Sequence, residues 1–449
     1  MKTFKHTLVT GFALFAMFLG AGNIIFPPTI GALAGDQWLL TLLGFLLTGI
    51  CLPLLGIIAS AKAGDNAADF GKYLGSTNAQ VLVFLIIITI GPLLAIPRTG
   101  SVTYELAIAP IFPGINSYLA IAGFFTITAF CTLNANKVID LIGAYLTPIL
   151  MITLIIIIFL GIIHPIGQPV STQQSQTFLK GFEGGYQTMD ALASIVFSGI
   201  IMHTIHHLGY EDLKQKTRLT AIAGVIAGFG LLIVYGGFIY LGASASGQAI
   251  QDLSRVELLI QVIDQILGSW GSIGLGIIVA LACLTTAVGL TATVAMYFSD
   301  RSSKLSYKPM VYIICIFSTI LAVNGVDTII NFASPILSIL YPVTIIIILL
   351  WLVDDWIKHK SIYKGAALGA LLVSLSQVVF SAEDNINHVL KSLSWAQVFS
   401  PDTPLRVNFD TPLNILNSLP LSGEGFAWVI PAIIGGLLFL TWDLYQEHK

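Results

Sequence analysis

The sequence predicts an all-α polytopic membrane protein of about twelve transmembrane helices, ten of them forming a five-plus-five inverted repeat with helices 1 and 6 broken. Three observations lead there. Charged residues make up 10% of the chain and hydrophobic ones 56%, with a mean hydropathy of +0.88; soluble domains carry about 25% charged residues. The apolar stretches are continuous rather than alternating, which excludes a β-barrel. Helix-disfavouring residues interrupt two of those stretches, at matching places in two halves of opposite orientation. A net charge of −3 gives no sign of a nucleic-acid partner.

The apolar runs lie near 7–33, 37–61, 79–108, 117–135, 139–163, 182–207, 218–243, 270–299, 309–325, 329–353, 363–381 and 426–443. Such lengths suit a hydrocarbon core ~30 Å thick. With a cytoplasmic amino terminus, the inner segments collect fifteen of the twenty Lys and Arg residues. The outer loops hold only Lys180, Arg255, Lys391 and Arg406, and Arg98 falls within the third span. This bias puts both termini inside. Lys2 and Lys5 precede an overlong apolar stretch with no small-x-small cleavage site, so the first span is expected to stay as a signal anchor.

Cys51, Cys131, Cys283 and Cys315 all fall in apolar runs and read as small buried hydrophobes, not as disulfides or metal ligands. His203, His206 and His207, at the inner end of the sixth span, suit an interface better than ligation. Two outer loops are long, 244–269 and 382–425. The first holds an amphipathic segment, 253–267; the second carries Leu390, Leu393, Trp395 and Phe399 before a Pro-rich stretch. Both are expected to form short interfacial helices, with plain packing favoured over a lid role.

The first span is cut by Gly20, Ala21, Gly22 and Asn23, followed by Ile24 and then Pro27 and Pro28. Glycine costs ~1 kcal/mol in a helix interior and proline ~3. Backbone groups freed at that depth cannot face lipid, so they line a cavity, meet a ligand or are re-satisfied by a packed neighbour. In the sixth span small and hydroxyl residues cluster around Ala193, Ser194, Ser198 and Gly199. Five spans lie between the two starts, so the first runs outward and the sixth inward. This is the geometry of an inverted repeat, with residues 1–163 and 164–353 as its halves and 354–449 adding two further helices. A Ser/Gly-rich packing face is the competing reading of the sixth span.

Gly11-Phe12-Ala13-Leu14-Phe15 running into Gly20-Ala21-Gly22-Asn23-Ile24-Ile25-Phe26-Pro27-Pro28 resembles the first helix of the branched-chain amino acid:cation symporters (the LIVCS, BrnQ-type carriers). Ile90-Gly91-Pro92, Ile96-Pro97-Arg98-Thr99, Thr188-Met189-Asp190-Ala191-Leu192 and Leu281-Ala282-Cys283-Leu284-Thr285-Thr286-Ala287 are similar to its other signatures. The resemblance covers nearly the whole chain. It implies Na⁺-coupled uptake of leucine, isoleucine and valine across the bacterial cell membrane, and the fold of leucine-type Na⁺ symporters. The alternative is an H⁺-coupled carrier, or a Na⁺-coupled carrier of another small neutral amino acid.

Ala282, Thr285 and Thr286 stand at i, i+3 and i+4, so one helix face offers a carbonyl and two hydroxyls. The competing reading is that the threonines bond back to their own helix. Alignment with leucine-type symporters implies that the carbonyls of Ala16 and Leu19 stand opposite, completing a Na⁺ site. The fifth span, from Leu141 to Ile163, holds no Lys or Arg of the kind that replaces sodium in proton-coupled relatives. A second ion near Asn23 and Ser198 is a weaker expectation.

Free N–H groups from Gly22 to Ile24, at the positive end of a half-helix, suit a substrate carboxylate. Carbonyls near Ala16–Gly20 and Ala193–Ser198 suit an ammonium group. Ile90, Leu93 and Phe197 are the expected apolar lining, so the substrate reads as a zwitterion with an aliphatic side chain. Arg98 and Asp190 are each ~12–15 Å deep by helical rise and are candidates for an outer gate; a static structural pair, or Arg98 with Glu105, is the plainer alternative. No zinc-binding HExxH pair, nucleophile elbow or convergent carboxylate pair appears, so no enzymatic activity is expected. A channel would call for rings of carbonyls or charges about a symmetry axis, which unique broken helices do not supply.

Overall fold

The computed structural model describes residues 2–64, 67–133, 135–248, 253–301, 305–383 and 409–448, and these are helical apart from turns and connections. In chain order the helices are α1 (Lys2–Phe18), α2 (Gly22–Ala34), α3 (Trp38–Leu46), α4 (Leu52–Ala63), α5 (Ser76–Ile88) and α6 (Ala95–Val102). Then come α7 (Ser117–Leu133), α8 (Ala135–Ile163), α9 (Thr177–Tyr186), α10 (Asp190–His207), α11 (Leu213–Ser244) and α12 (Arg255–Leu267). The last six are α13 (Ser269–Arg301), α14 (Tyr307–Ala322), α15 (Val326–Leu352), α16 (Ser361–Ser381), α17 (Asp410–Asn417) and α18 (Val429–Glu447). Among the described residues eight helical stretches are long and apolar enough to cross a membrane, and four shorter apolar helices accompany them. The protein is thus an all-α, multi-pass membrane protein.

The chain forms two compact units, Met1–Phe70 with Gln80–Ser334, and Gly71–Ala79 with Pro335–Lys449. In the first, glycines let helix backbones touch where the hydrophobic effect cannot drive association. A Cβ at Gly31 of α2 would stand 2.0 Å from the Ile239 carbonyl of α11, and one at Gly242 would stand 1.9 Å from the Pro28 carbonyl. Hydroxyls lock two other crossings. Thr41 Oγ1 and Thr48 Oγ1 donate to the Thr177 and Phe182 carbonyls of α9 (3.1 and 2.6 Å), and Ser60 Oγ of α4 donates to the Ile195 carbonyl of α10 (3.1 Å).

The second unit repeats the glycine device. A Cβ at Gly369 of α16 would meet the Pro431 carbonyl of α18 at 2.1 Å. Tyr73 stacks on Trp351 with ring centroids 5.0 Å apart, and Lys72 Nζ lies 4.7 Å above the Trp351 ring.

Three expectations are corrected. The sixth span breaks at Gln187–Met189, between α9 and α10, not at Ala193–Gly199. Met189 holds the turn with φ of 63°, whereas the small residues lie inside regular helix, where Ser198 Oγ donates to the Ile57 carbonyl of α4 (3.3 Å). Ser198 is small where α4 packs, and the carbonyls of the cluster lie within the continuous helix α10. The outer segment 253–267 forms α12, opened by a Ser254–Glu257 capping box. It buries Val256, Leu258, Leu259, Val262 and Ile263, so it packs on protein rather than lying in the interface. Arg255 forms an ion pair with Asp327 beside it. Cys51 is exposed and Cys131 half-buried; only Cys283 and Cys315 are buried hydrophobes, because the outer faces of the spans are themselves apolar. Leu390, Leu393, Trp395 and Phe399 lie outside the described residues, as do the side chains of His203 and His207, while His206 is exposed.

Candidate functional site

Both breaks open onto one cavity. Its wall includes Met17, Phe18, Gly20, Ala21 and Asn23 from the first, and Thr188, Met189, Asp190, Ala193 and Phe197 from the second. The third span contributes Ile90, Ala95, Arg98 and Thr99, and α13 contributes Thr286 and Leu290. The cavity is about 30 Å³, room for one or two water molecules, so it must widen to take a larger ligand. Phe18 and Phe197 face each other across one side with ring centroids 5.7 Å apart.

The first break is built by its sequence. Leu19 N–H still donates to the Phe15 carbonyl (2.9 Å), but Gly20 N–H turns back to Phe18 (2.7 Å) and Asn23 N–H to Gly20 (3.2 Å). Among the described residues no N–H outside the helices' own ladders reaches the carbonyls of Ala16, Met17 or Leu19. The N–H groups of Gly22 and Ile24 likewise find no backbone acceptor there. Pro27 and Pro28 extend the effect, since neither can donate to the carbonyls of Asn23 and Ile24. In the sixth span the N–H groups of Gln187, Thr188 and Met189 close tight turns on Gly184, Gly185 and Tyr186 (3.2, 3.3 and 3.0 Å). The third span bends beside them at Gly91-Pro92, where Gly91 leaves helical geometry (φ −93°, ψ −121°).

Side chains tie the breaks together. Asn23 Nδ2 donates to Asp190 Oδ2 (2.6 Å) and also contacts the Tyr235 hydroxyl, which itself donates to Asp190 Oδ2 (3.0 Å). Arg98 Nη1 donates to the Gln187 carbonyl (2.7 Å), and its guanidinium lies 5.5 Å above the Phe26 ring. A Cβ at Gly22 would stand 2.6 Å from Arg98 Nη2, so only glycine leaves the guanidinium its place. Both charged residues are buried, at 4% and 3% exposure. Opposite Gly20, Thr286 Oγ1 is buried without a hydrogen-bond partner. Thr285 Oγ1 instead bonds back to the Ala282 carbonyl at 2.7 Å.

Of the expected substrate residues, Gly20, Ala21, Asn23, Ile90, Ala193 and Phe197 line the cavity. Gly22 and Ile24 form the adjoining first turn of α2, and Leu93 sits on the third-span kink off the cavity wall. Ser198 and Gly199 lie on α10 away from it. Arg98 and Asp190 lie on the wall itself, at the level of the breaks. Sequence reasoning missed Met17, Phe18, Ala95, Thr99, Thr188, Met189, Leu290 and Tyr235. A tyrosine inside the apolar run of α11 is a readable signal, since a buried phenol needs a partner; a left-handed Met189 is not.

Apolar helices broken around a small cavity that holds buried charged side chains define a membrane transporter. The solved structure of Mhp1, a nucleobase-cation-symport-1 family transporter with bromovinylhydantoin bound, superposes with a TM-score of 0.57 at 14% identity, covering 97% of this chain and 92% of that one. MhsT in complex with L-phenylalanine gives a TM-score of 0.56 at 19% identity, covering 96% and 97%. These likenesses show the fold. The family model for branched-chain amino acid transport proteins matches residues 3–446, and the chain belongs to that family. It is 37% identical to the branched-chain amino acid permease BraB of Bacillus subtilis over 98% of this chain and 96% of that one. As a member it is a transporter of the bacterial plasma membrane, not an enzyme.

Proposed function

We propose that the protein is a Na⁺-coupled symporter that carries leucine, isoleucine and valine into the cell by alternating access. Its twelve spans form a five-plus-five inverted repeat (1–163 and 164–353) with two further helices (354–449), both termini in the cytoplasm. Repeats of this kind interleave in space, so they need not coincide with the two compact units. The amino acid occupies the cavity between the breaks. The N–H groups of Gly22 and Ile24 face its carboxylate, and Ile90, Ala193 and Phe197 meet its side chain. Discrimination per methylene is ~1–3 kcal/mol, so the three aliphatic substrates compete.

The observation that carries the coupling is the set of unspent oxygens beside Gly20. The Ala16 and Leu19 carbonyls have no backbone donor among the described residues, and Thr286 Oγ1 is buried without a partner. On α13 the Ala282 carbonyl and the Thr285 hydroxyl, bonded to each other in this structure, turn to the ion to complete the cage. Neutral oxygens in a dry cage suit Na⁺. One charge moving down 100 mV supplies ~2.3 kcal/mol, and a tenfold Na⁺ gradient adds ~1.4. Together they support accumulation of several hundredfold.

A second reading is favoured by one feature, the buried Asp190 carboxylate on the cavity wall, which could carry a coupling proton. Uptake of labelled leucine into liposomes of purified protein, under imposed Na⁺, H⁺ or K⁺ gradients, separates the two. Na⁺ alone should drive accumulation. Uptake driven equally by H⁺ without Na⁺ would remove the Na⁺ assignment.

A further inference from the structure

The cavity holds two opposite buried charges at one helix break, and neither is explained by a backbone-only site for the substrate's head group. Asp190 opens α10, where the helix dipole favours a carboxylate. Its Oδ2 accepts from Asn23 and Tyr235, and the Thr188 side chain bonds it as well. An ionised carboxylate offers about four acceptor sites, so these neutral donors leave capacity for a cationic partner. Arg98 is held three residues upstream in the same break, on the Gln187 carbonyl, and against the Gly22 backbone at the start of α2. The guanidinium therefore stands beside Gly22, in the first turn of α2, where the positive end of the helix already suits an anion. The charges sum to zero, and the rest of the wall is largely apolar, with Ile90, Leu290 and Phe197.

From this arrangement, and resting on the amino-acid transport reading above, we infer that Asp190 and Arg98 clamp the substrate's head group. Asp190 receives the α-ammonium and Arg98 flanks the α-carboxylate. The site is then selective for a zwitterion by side-chain charge as well as by backbone dipoles. An amine or an acid of the same shape answers only one of the two buried charges and leaves the pair unevenly balanced, which is costly in a dry cavity. Asn23 and Tyr235 are positioning residues. They fix the carboxylate from two different helices, and Tyr235, off the cavity wall, reaches the substrate only through it.

The test uses purified protein in liposomes with leucine, its α-hydroxy acid isostere (2-hydroxy-4-methylpentanoate) and 3-methylbutylamine as competitors of labelled leucine uptake. In the unaltered protein leucine should outcompete both isosteres by about 10- to 100-fold, the range of a hydrogen bond to a charged group. Asp190→Asn should cut leucine affinity by that factor and leave the hydroxy acid within about threefold of its former affinity, so the preference collapses. Arg98→Gln should do the converse and narrow the gap between leucine and the amine. A parallel fall for all three ligands would overturn the clamp and leave Asp190 a structural residue. Tyr235→Phe keeps the carboxylate and removes one donor, so it should retain the leucine preference; its loss there would also count against direct contact. Binding measured by thermal shift in detergent covers any variant that folds but does not transport. If the unaltered protein takes up no leucine, the transport reading fails instead, and the two failures are told apart.

Discussion

Asn23 Nδ2 and Asp190 Oδ2 lie 2.6 Å apart, joining the break of the first span to that of the sixth across 167 residues of sequence. The bond is buried, and Tyr235 of α11 meets both partners. Three helices are thus tied at one carboxylate. Asn23→Ala removes one donor from that carboxylate. Removing one partner from a buried charged group costs about 1–3 kcal/mol, so the melting temperature in detergent should fall and leucine affinity with it. An unchanged melting curve and unchanged affinity would mean that the tie carries no energy.

The two threonines of α13 should behave differently, although their sequence spacing makes them look equivalent. Thr285 spends its hydroxyl on the Ala282 carbonyl, while Thr286 Oγ1 has no partner. Thr286→Ala should therefore raise the Na⁺ concentration for half-maximal leucine uptake more than Thr285→Ala does. Removing a buried orphan hydroxyl should also leave thermal stability unharmed without Na⁺. If neither variant shifts the Na⁺ dependence, the ion lies elsewhere.

Glycines two residues apart in the first break carry different steric demands. A Cβ at Gly22 would collide with Arg98 Nη2 at 2.6 Å, whereas one at Gly20 would meet Thr286 Cγ2 at 3.6 Å, an ordinary contact. Gly22→Ala should push the guanidinium off its seat and lower leucine uptake at least tenfold, while Gly20→Ala should keep most of it. Initial uptake rates at matched expression decide this, and equal effects would mean that Arg98 can yield without consequence.

Much of this was legible in the sequence because membrane helices announce themselves. Continuous apolar runs, and Gly20, Gly22, Asn23, Pro27 and Pro28 inside one of them, locate the first break within a residue or two. The second break was placed too far along, because clusters of small residues are ambiguous. Ser198 is small where α4 packs and Ala193 where the cavity opens, whereas the actual break at Gln187–Met189 contains no glycine or proline. Its geometry rests on Met189 at φ 63°, a conformation tertiary packing imposes at a cost of about 1–3 kcal/mol. Ser198 shows the same limit: its residue type suits a ligand, but its hydroxyl points to Ile57. Ser198→Ala should therefore leave leucine affinity within about twofold and lower stability by about 1 kcal/mol, the net worth of one hydrogen bond.

Arg98 and Asp190 offer the sharpest test, since the two roles for them differ in sign under charge exchange. As an outer gate above the site, a swapped pair would still attract, so Arg98→Asp combined with Asp190→Arg should recover part of the uptake lost by each single change. As a head-group clamp, the swap sets a guanidinium against the dipole of α10 and in front of the substrate ammonium, so no recovery is expected. A double-mutant cycle with alanine measures whether the positions are linked at all. Both residues line the same small cavity, on opposite charges of one ligand, so their effects on leucine affinity should be non-additive by about 0.5–3 kcal/mol. The clamp predicts that coupling in binding, together with failure of the swapped protein to bind leucine by thermal shift. Strict additivity would separate the two residues functionally, and a swapped protein that transports would restore the gate.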